Sequence, residues 1–168
     1  MGAWGVGLYS SDFAMDLRAC VNAVTRLPFD PDRLLETICQ SEPTSAHDVA
    51  DPDHTVFWLT VADQFAKKGI DCPRARDRAL SIIAGGADLA TMASLGLDEK
   101  SLAKRRVMLE GLRARLTEPV DPKRRAVLRA PQKLLLEVGE VLIIRSVSSG
   151  PIRASQSIPI RSARNGRG

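Results

Sequence analysis

The segment from Val56 to Phe65 constrains the fold most, because apolar side chains would cover most of its circumference in a helix. Its apolar residues are Val56, Phe57, Trp58, Leu59, Val61, Ala62 and Phe65. Such a wide apolar stripe predicts the central core helix of a domain, running over residues 52–68 and ending at Gly69. The remaining side chains are polar, and we expect them to mark the solvent-facing side. These are Thr60, Asp63, Gln64, Lys67 and Lys68.

Proline and glycine divide the chain around this helix. Asp30-Pro31 and Asp51-Pro52 each combine an N-cap with proline at the first helical position. The predicted helices cover about residues 12–26, 31–40, 52–68, 73–84, 87–95 and 99–116. We expect a polar loop between the second and third of them. The sequence therefore predicts a mainly α fold, a globular domain of about six helices over residues 1–117.

Length and composition exclude several classes of protein. With 168 residues, of which 44% are hydrophobic, the chain is long enough to bury a core without disulfide or metal support. No apolar run approaches the roughly 20 residues that a membrane helix needs, so we expect no membrane partner. The N-terminus is not basic and no apolar region follows it, so we expect no secretory signal. The three cysteines have no C-x-x-C spacing, which argues against a zinc site and favours a reducing, cytoplasmic location.

Charge is distributed unevenly along the chain. Residues 1–99 contain 8 basic and 15 acidic residues, whereas residues 100–133 contain 11 basic and 3 acidic residues. The candidate partner-binding residues are Lys104, Arg105, Arg106, Arg113, Arg115, Lys123, Arg124 and Arg125. Either the acidic part of the chain neutralises this basic set within the molecule, or the set binds phosphate groups. The basic stretch has no aromatic residue on which bases could stack, and this weakens the second interpretation.

Three glycines, Gly2, Gly5 and Gly7, surround Trp4 at the N-terminus. They resemble a phosphate loop only superficially, because a dinucleotide fingerprint needs a preceding strand and this motif begins at the initiator methionine. We expect the glycines to shape a packed turn around a buried Trp4, and not to bind a ligand.

Two acidic clusters are candidate catalytic or metal-binding groups. Asp12 and Asp16 are four residues apart, so a helix would place both carboxylates on one face, where they could bind a hard cation or act as acid and base. They could equally be a cap residue and a solvent-facing acid. A second cluster, with ligand types suited to a transition metal, consists of His47, Asp48, Asp51, Asp53 and His54. Its segment is loop-like and one of its acids is needed as a helix cap, so we expect no metal and no cofactor.

The C-terminal part of the chain changes character twice. Residues 118–133 form a basic, proline-containing linker. Residues 134–144 are apolar and β-branched around Gly139, a pattern that favours a bent strand. Residues 145–168 contain no aromatic or acidic residue and few large apolar ones. This tail is predicted to be disordered, because it has too little apolar surface to offset the entropy of ordering.

The sequence resembles an uncharacterised bacterial domain-of-unknown-function family. The opening GAWGVGLY over residues 2–9, followed by Asp12, Ala14 and Asp16, is similar to the family's G-[AT]-W-G-x-G-x-F and D-x-A-x-D. Residues 79–89 (ALSIIAGGADL) are similar to its A-L-x-I-I-x-x-G-x-D-L.

The resemblance extends to the basic helix and beyond it. Residues 56–59 match the family's central helix, and residues 104–116 resemble its basic final helix. Residues 137–142 (EVGEVL) resemble the strand that begins a small β-barrel in longer relatives. Residues 145–168 depart from the pattern, so this segment is either a genuine tail or a truncated barrel. The resemblance carries no mechanism and supplies no catalytic residue.

Three functions follow from these patterns. The first is a non-enzymatic cytoplasmic module that binds another protein, one concrete version being an immunity-like protein that neutralises a toxin. The second is a nucleic-acid-binding accessory protein that uses the basic helix and linker. The third is a metal-dependent enzyme that uses Asp12, Asp16 and His54.

Overall fold

Seven α-helices form the fold in the computed structural model, which describes residues 5–121, 123 and 125–128. The helices are α1 (Asp12–Val24), α2 (Pro31–Ser41), α3 (Pro43–His47), α4 (His54–Lys67), α5 (Pro73–Gly85), α6 (Ala87–Ser94) and α7 (Glu99–Thr117). The described residues belong to the unit Met1–Pro131 and contain no strand. The predicted mainly α fold is confirmed for this part of the chain. The predicted strand 134–144 and tail 145–168 lie outside the described residues, as do Gly2, Trp4 and Arg124.

Polar side chains begin three of the helices. Ser11 caps α1, Asp30 caps α2 and Asp98 caps α7, and each accepts a hydrogen bond from the backbone N–H three residues further on. Such a bond satisfies one of the donors that the first helical turn leaves without a partner. The hydrogen bonds from Ser101 also lower the pKa of the Asp98 carboxyl group.

The predicted polar loop before the central helix contains the short helix α3. Pro43 occupies its first turn, and the Ala46 carbonyl oxygen accepts a hydrogen bond from Trp58 Nε1 of α4 at 3.1 Å. A five-residue helix is not stable by itself, so this tertiary contact decides its conformation. The prediction of a loop was therefore wrong for these residues.

The central helix begins at His54 and not at Pro52. The predicted cap, Asp51, instead accepts the backbone N–H of Asp53 at 2.8 Å and the Ser45 hydroxyl at 3.2 Å through its Oδ1. A side-chain bond to the backbone two residues on is a turn device that competes with helical hydrogen bonding. Asp51 therefore fixes the entry into α4.

Helix α4 is the centre of the domain, as predicted, but it is enclosed more completely than expected. Helices α1, α3, α5, α6 and α7 all pack against it, and every residue from His54 to Phe65 is buried. The expectation that Thr60, Asp63 and Gln64 face solvent is therefore wrong. They are enclosed because helices cover the polar side of α4 as well as its apolar side. No helix among the described residues is both long and apolar enough to span a membrane.

The turn after α4 brings the described part of the linker against the helical domain. Gly69 has a φ of +65°, and a Cβ there would lie 2.4 Å from both Asp121 O and Lys123 N. The linker continues towards the end of α1, where Leu128 N donates to Arg26 O at 2.8 Å. These backbone contacts place the described linker residues beside the C-terminal ends of α4 and α1.

Candidate functional site

Among the described residues of the basic set, Arg105 lies in the interior of the domain. Arg105 is 1% exposed, and Asp88 of α6, which faces it, is 0% exposed. Arg105 Nε lies 2.6 Å from Asp88 Oδ2, and Nη2 lies 2.8 Å from Oδ1. The two parallel bonds form the strong bidentate geometry of an arginine–carboxylate pair. The expectation that Arg105 contributes to a partner-binding surface is therefore wrong, because a buried carboxylate neutralises it.

The Asp88–Arg105 pair also holds the N-terminal segment. Arg105 Nη1 donates to the carbonyl oxygens of Gly7 at 3.2 Å and Val6 at 3.4 Å. Thr55 Oγ1 of α4 donates to Asp88 Oδ1 at 3.3 Å. The pair thus connects α4, α6, α7 and the glycine segment, so a role in holding the domain together accounts for its position.

The glycine segment forms a tight turn in front of α1. Ser10 Oγ lies 2.7 Å from the carbonyl oxygens of both Gly5 and Gly7. A Cβ at Gly5 would approach Ser10 Cβ to 2.7 Å, so this position needs a glycine, whereas a Cβ at Gly7 would meet nothing within 4 Å. The carbonyl groups of the turn face donors of the domain, which supports a packing role for the motif.

Asp12 and Asp16 are both exposed on α1. Asp12 lies in the first turn, where a carboxylate is favoured by the positive end of the helix dipole. Among the described residues, no group of three or more His, Cys, Asp or Glu side chains could hold a metal ion. The metal-dependent function therefore stays a prediction, and no third ligand beside this acid pair supports it.

His54 is buried and both of its ring nitrogens face a partner. Nδ1 lies 2.8 Å from the Ser45 carbonyl oxygen, and Nε2 lies 3.0 Å from Arg78 Nη2. Because arginine can only donate, Nε2 accepts and Nδ1 carries the proton that it donates to Ser45. Both ring nitrogens of His54 are thus used in hydrogen bonds within the domain.

The nearby acid Asp53 has a raised pKa, because burial and then the charges of Asp51 and Glu42 disfavour its ionised form.

A second buried carboxylate, Asp63 of α4, is bound by side chains from three parts of the chain. It is 1% exposed, and it accepts from the Tyr9 hydroxyl, from Lys67 Nζ at 2.6 Å and from Arg115 Nη2 at 2.9 Å. Gln64 Nε2 donates to the Tyr9 oxygen at 2.6 Å. Burial, followed by the hydrogen bond to Asp63, raises the pKa of Tyr9 far above its ordinary value. Arg115 is half exposed, but part of its charge is balanced here.

The remaining basic residues of α7 border a strip of small residues that the sequence analysis missed. The strip consists of Ala103, Val107, Gly111 and Ala114, all exposed. Its charged neighbours, also exposed, are Lys100, Lys104, Arg106, Glu110 and Arg113. We call these nine residues the outer face of α7. Among the described residues, the ion pair within this set joins Arg113 to Glu110 at 4.0 Å. The face therefore keeps an excess of positive charge around a narrow, weakly polar centre.

A signal in the sequence could have revealed both sides of α7. The residues Leu102, Leu109, Leu112 and Leu116 form its buried stripe, and Arg105 occupies the position that this spacing leaves open. The strip on the outer face follows the same periodicity, shifted to the opposite side of the helix.

Comparisons with protein-family models, with curated proteins and with solved structures found no match. The fold and its contacts define an α-helical domain built around one enclosed helix. The similarity to the bacterial family stays a prediction, but the geometry gives its motifs a shared physical role. The glycine segment, Asp88 in residues 79–89 and Arg105 in residues 104–116 meet in one hydrogen-bonded group.

Proposed function

We propose that this protein is a non-enzymatic interaction module of the bacterial cytoplasm, which binds an acidic protein partner through the outer face of α7. The observation that carries the proposal is Val107, which is 73% exposed within a strip of small residues framed by cations. Small side chains let a partner helix approach closely, and the surrounding charges favour and orient an acidic surface. Neutralising a toxin, as immunity proteins do, is one concrete form of this function.

The chemistry of the face favours a protein over a nucleic acid. Nucleic-acid surfaces commonly combine cations with aromatic or planar groups on which bases stack. The outer face has no aromatic residue on which bases could stack. A helix with small apolar residues flanked by Asp and Glu would complement the strip and its border.

His54, a candidate for the metal-dependent function, makes hydrogen bonds within the domain through both ring nitrogens, so its chemistry serves the fold. The cytoplasmic location is supported by the cysteines, because Cys39 and Cys72 are buried as free thiols.

The test compares two valines with similar exposure on different surfaces. Val107 on α7 is 73% exposed, and Val49 in the loop before α4 is 71% exposed. A partner is captured from the native cytoplasm, purified, and titrated against wild type, Val107→Asp and Val49→Asp. We expect Val107→Asp to weaken binding at least about tenfold, a loss of roughly 1.4 kcal/mol, and Val49→Asp to bind like wild type.

Two results would overturn the proposal. Equal binding by both variants would remove the outer face of α7 from the interface. Capture that is abolished by nuclease, with an affinity that falls steeply as salt rises, would instead establish the nucleic-acid-binding alternative.

A further inference from the structure

A cleft of about 380 Å³ opens where the C-terminal ends of α1 and α4 meet the described part of the linker. Its polar lining consists of Asn22, Thr25, Arg26, Lys68, Lys123 and Arg125. Four of these side chains are cationic, and among the described residues that line the cleft none is acidic. None of them belongs to the outer face of α7, so the cleft is independent of the proposed function.

Backbone carbonyl groups, and not carboxylates, hold the two linker cations at this place. Arg125 Nη2 donates to Phe29 O at 2.8 Å, and Lys123 Nζ lies 3.3 Å from Lys67 O. The close approach of the linker to Gly69 fixes the backbone beside them. The fold therefore assembles positive charge in the cleft without neutralising it by an ion pair among the described residues.

The ends of the two helices reduce this positive charge only in part. A helix C-terminus carries the equivalent of about −0.5 charge, so two ends offset roughly one of the four cations. About three positive charges then remain close together, where they repel one another. Arg125 Nη1 is also buried and has no hydrogen-bond partner among the described residues. An anion with several acceptor oxygens would relieve both conditions.

We propose that this cleft binds a phosphate group of a small phosphorylated molecule. Phosphate matches the residues because arginine presents a planar fork of donors and lysine a compact charge, and both are common phosphate ligands. The volume lies at the lower end of the roughly 300–1,000 Å³ of small-molecule sites, so it admits more than a bare ion. A nucleoside diphosphate has a suitable charge and size. A phosphate within a nucleic-acid strand offers the same chemistry, and the test distinguishes the two sources.

The experiment titrates the full chain with inorganic pyrophosphate, a nucleoside diphosphate and a single-stranded oligonucleotide. The informative variants are Arg26→Gln and Lys68→Gln, because each removes one charge while leaving the backbone contacts of that residue in place. Lys104→Gln on α7 is the matched control, since it removes the same charge from outside the cleft. Circular dichroism confirms that each variant keeps its helices.

We expect one molecule of nucleoside diphosphate per chain, bound about tenfold more weakly by each cleft variant and unchanged by Lys104→Gln. If the oligonucleotide binds more tightly than the nucleoside diphosphate, and the diphosphate displaces it, the natural ligand of the cleft is a phosphate of a nucleic-acid strand. If the oligonucleotide does not compete with the nucleoside diphosphate, the natural ligand of the cleft is a small phosphorylated molecule. Absence of binding by wild type, or equal weakening by Lys104→Gln, would refute the site.

Discussion

Replacing Arg105 by methionine removes one partner of a buried ion pair and leaves the other in place. Asp88 is 0% exposed, and it would lose the bonds of 2.6 and 2.8 Å while keeping the contact with Thr55 at 3.3 Å. An uncompensated charge of this kind destabilises a domain by about 3–5 kcal/mol. Because whole domains are stable by about 5–15 kcal/mol, Arg105→Met removes a large share of the total.

The measurement is the free energy of unfolding in urea, followed by the helical circular dichroism signal. The control is Arg106→Met, the exposed neighbour on the same helix, which should stay within about 0.5 kcal/mol of wild type. The double variant Asp88→Asn with Arg105→Met should lose about 1–3 kcal/mol less free energy of unfolding than the two single variants lose together. The reason is that neither charge is then buried without its partner. Additive effects, or a loss below about 1 kcal/mol for Arg105→Met, would show that the pair is not buried as described.

Further predictions concern two buried cysteines, Tyr9 and two glycines. Cys39 and Cys72 should resist alkylation until the protein unfolds, because burial raises the pKa of both thiols, that of Cys39 to about 11; mass spectrometry of labelled native protein checks this. Tyr9, the sole tyrosine of the chain, should show no phenolate absorbance near its ordinary pKa of 10.0 while folded. Since folding raises that pKa, its contribution to stability is present below pH 10.0 and is lost as the pH rises through the raised value, so alkaline urea titrations should show a declining stability. Gly69→Ala should lower the melting temperature by several degrees, because a Cβ would lie 2.4 Å from linker backbone atoms at a positive φ. Gly111→Ala should stabilise the free protein by about 0.5–1 kcal/mol in urea, since its Cβ meets nothing within 4 Å, and a decrease would mean that the helix is strained there.

Local chemistry made most helix boundaries predictable. Asp30-Pro31 begins α2 as expected, and Gly86, with a φ of +66°, ends α5. These signals act within one helical turn, so the surrounding tertiary structure does not need to be known. The prediction failed at α3, where five residues are helical because Trp58 reaches across from α4.

The polar interior could not be predicted, because its partners are distant in the sequence. Asp63 resembles a solvent-facing acid until Tyr9 and Arg115, 54 and 52 residues away, are placed against it. Arg105 resembles the exposed residues beside it in Lys104-Arg105-Arg106. A count of charges along the sequence does not distinguish these three side chains. In the folded helix, Arg105 alone of the three faces the buried carboxylate of Asp88.

Asp63 and Asp88 are both paired with arginines of α7, and this affects folding while the chain is being synthesised. Asp88 leaves the ribosome 17 residues before Arg105, and Asp63 leaves it 52 residues before Arg115. Until α7 emerges, neither acid has its arginine and one side of α4 has no cover. The Arg105–Gly7 contact, across 98 residues, closes a loop that spans most of the domain. Contacts of such sequence separation slow folding, so the side of α4 that α7 covers stays open until α7 has been translated.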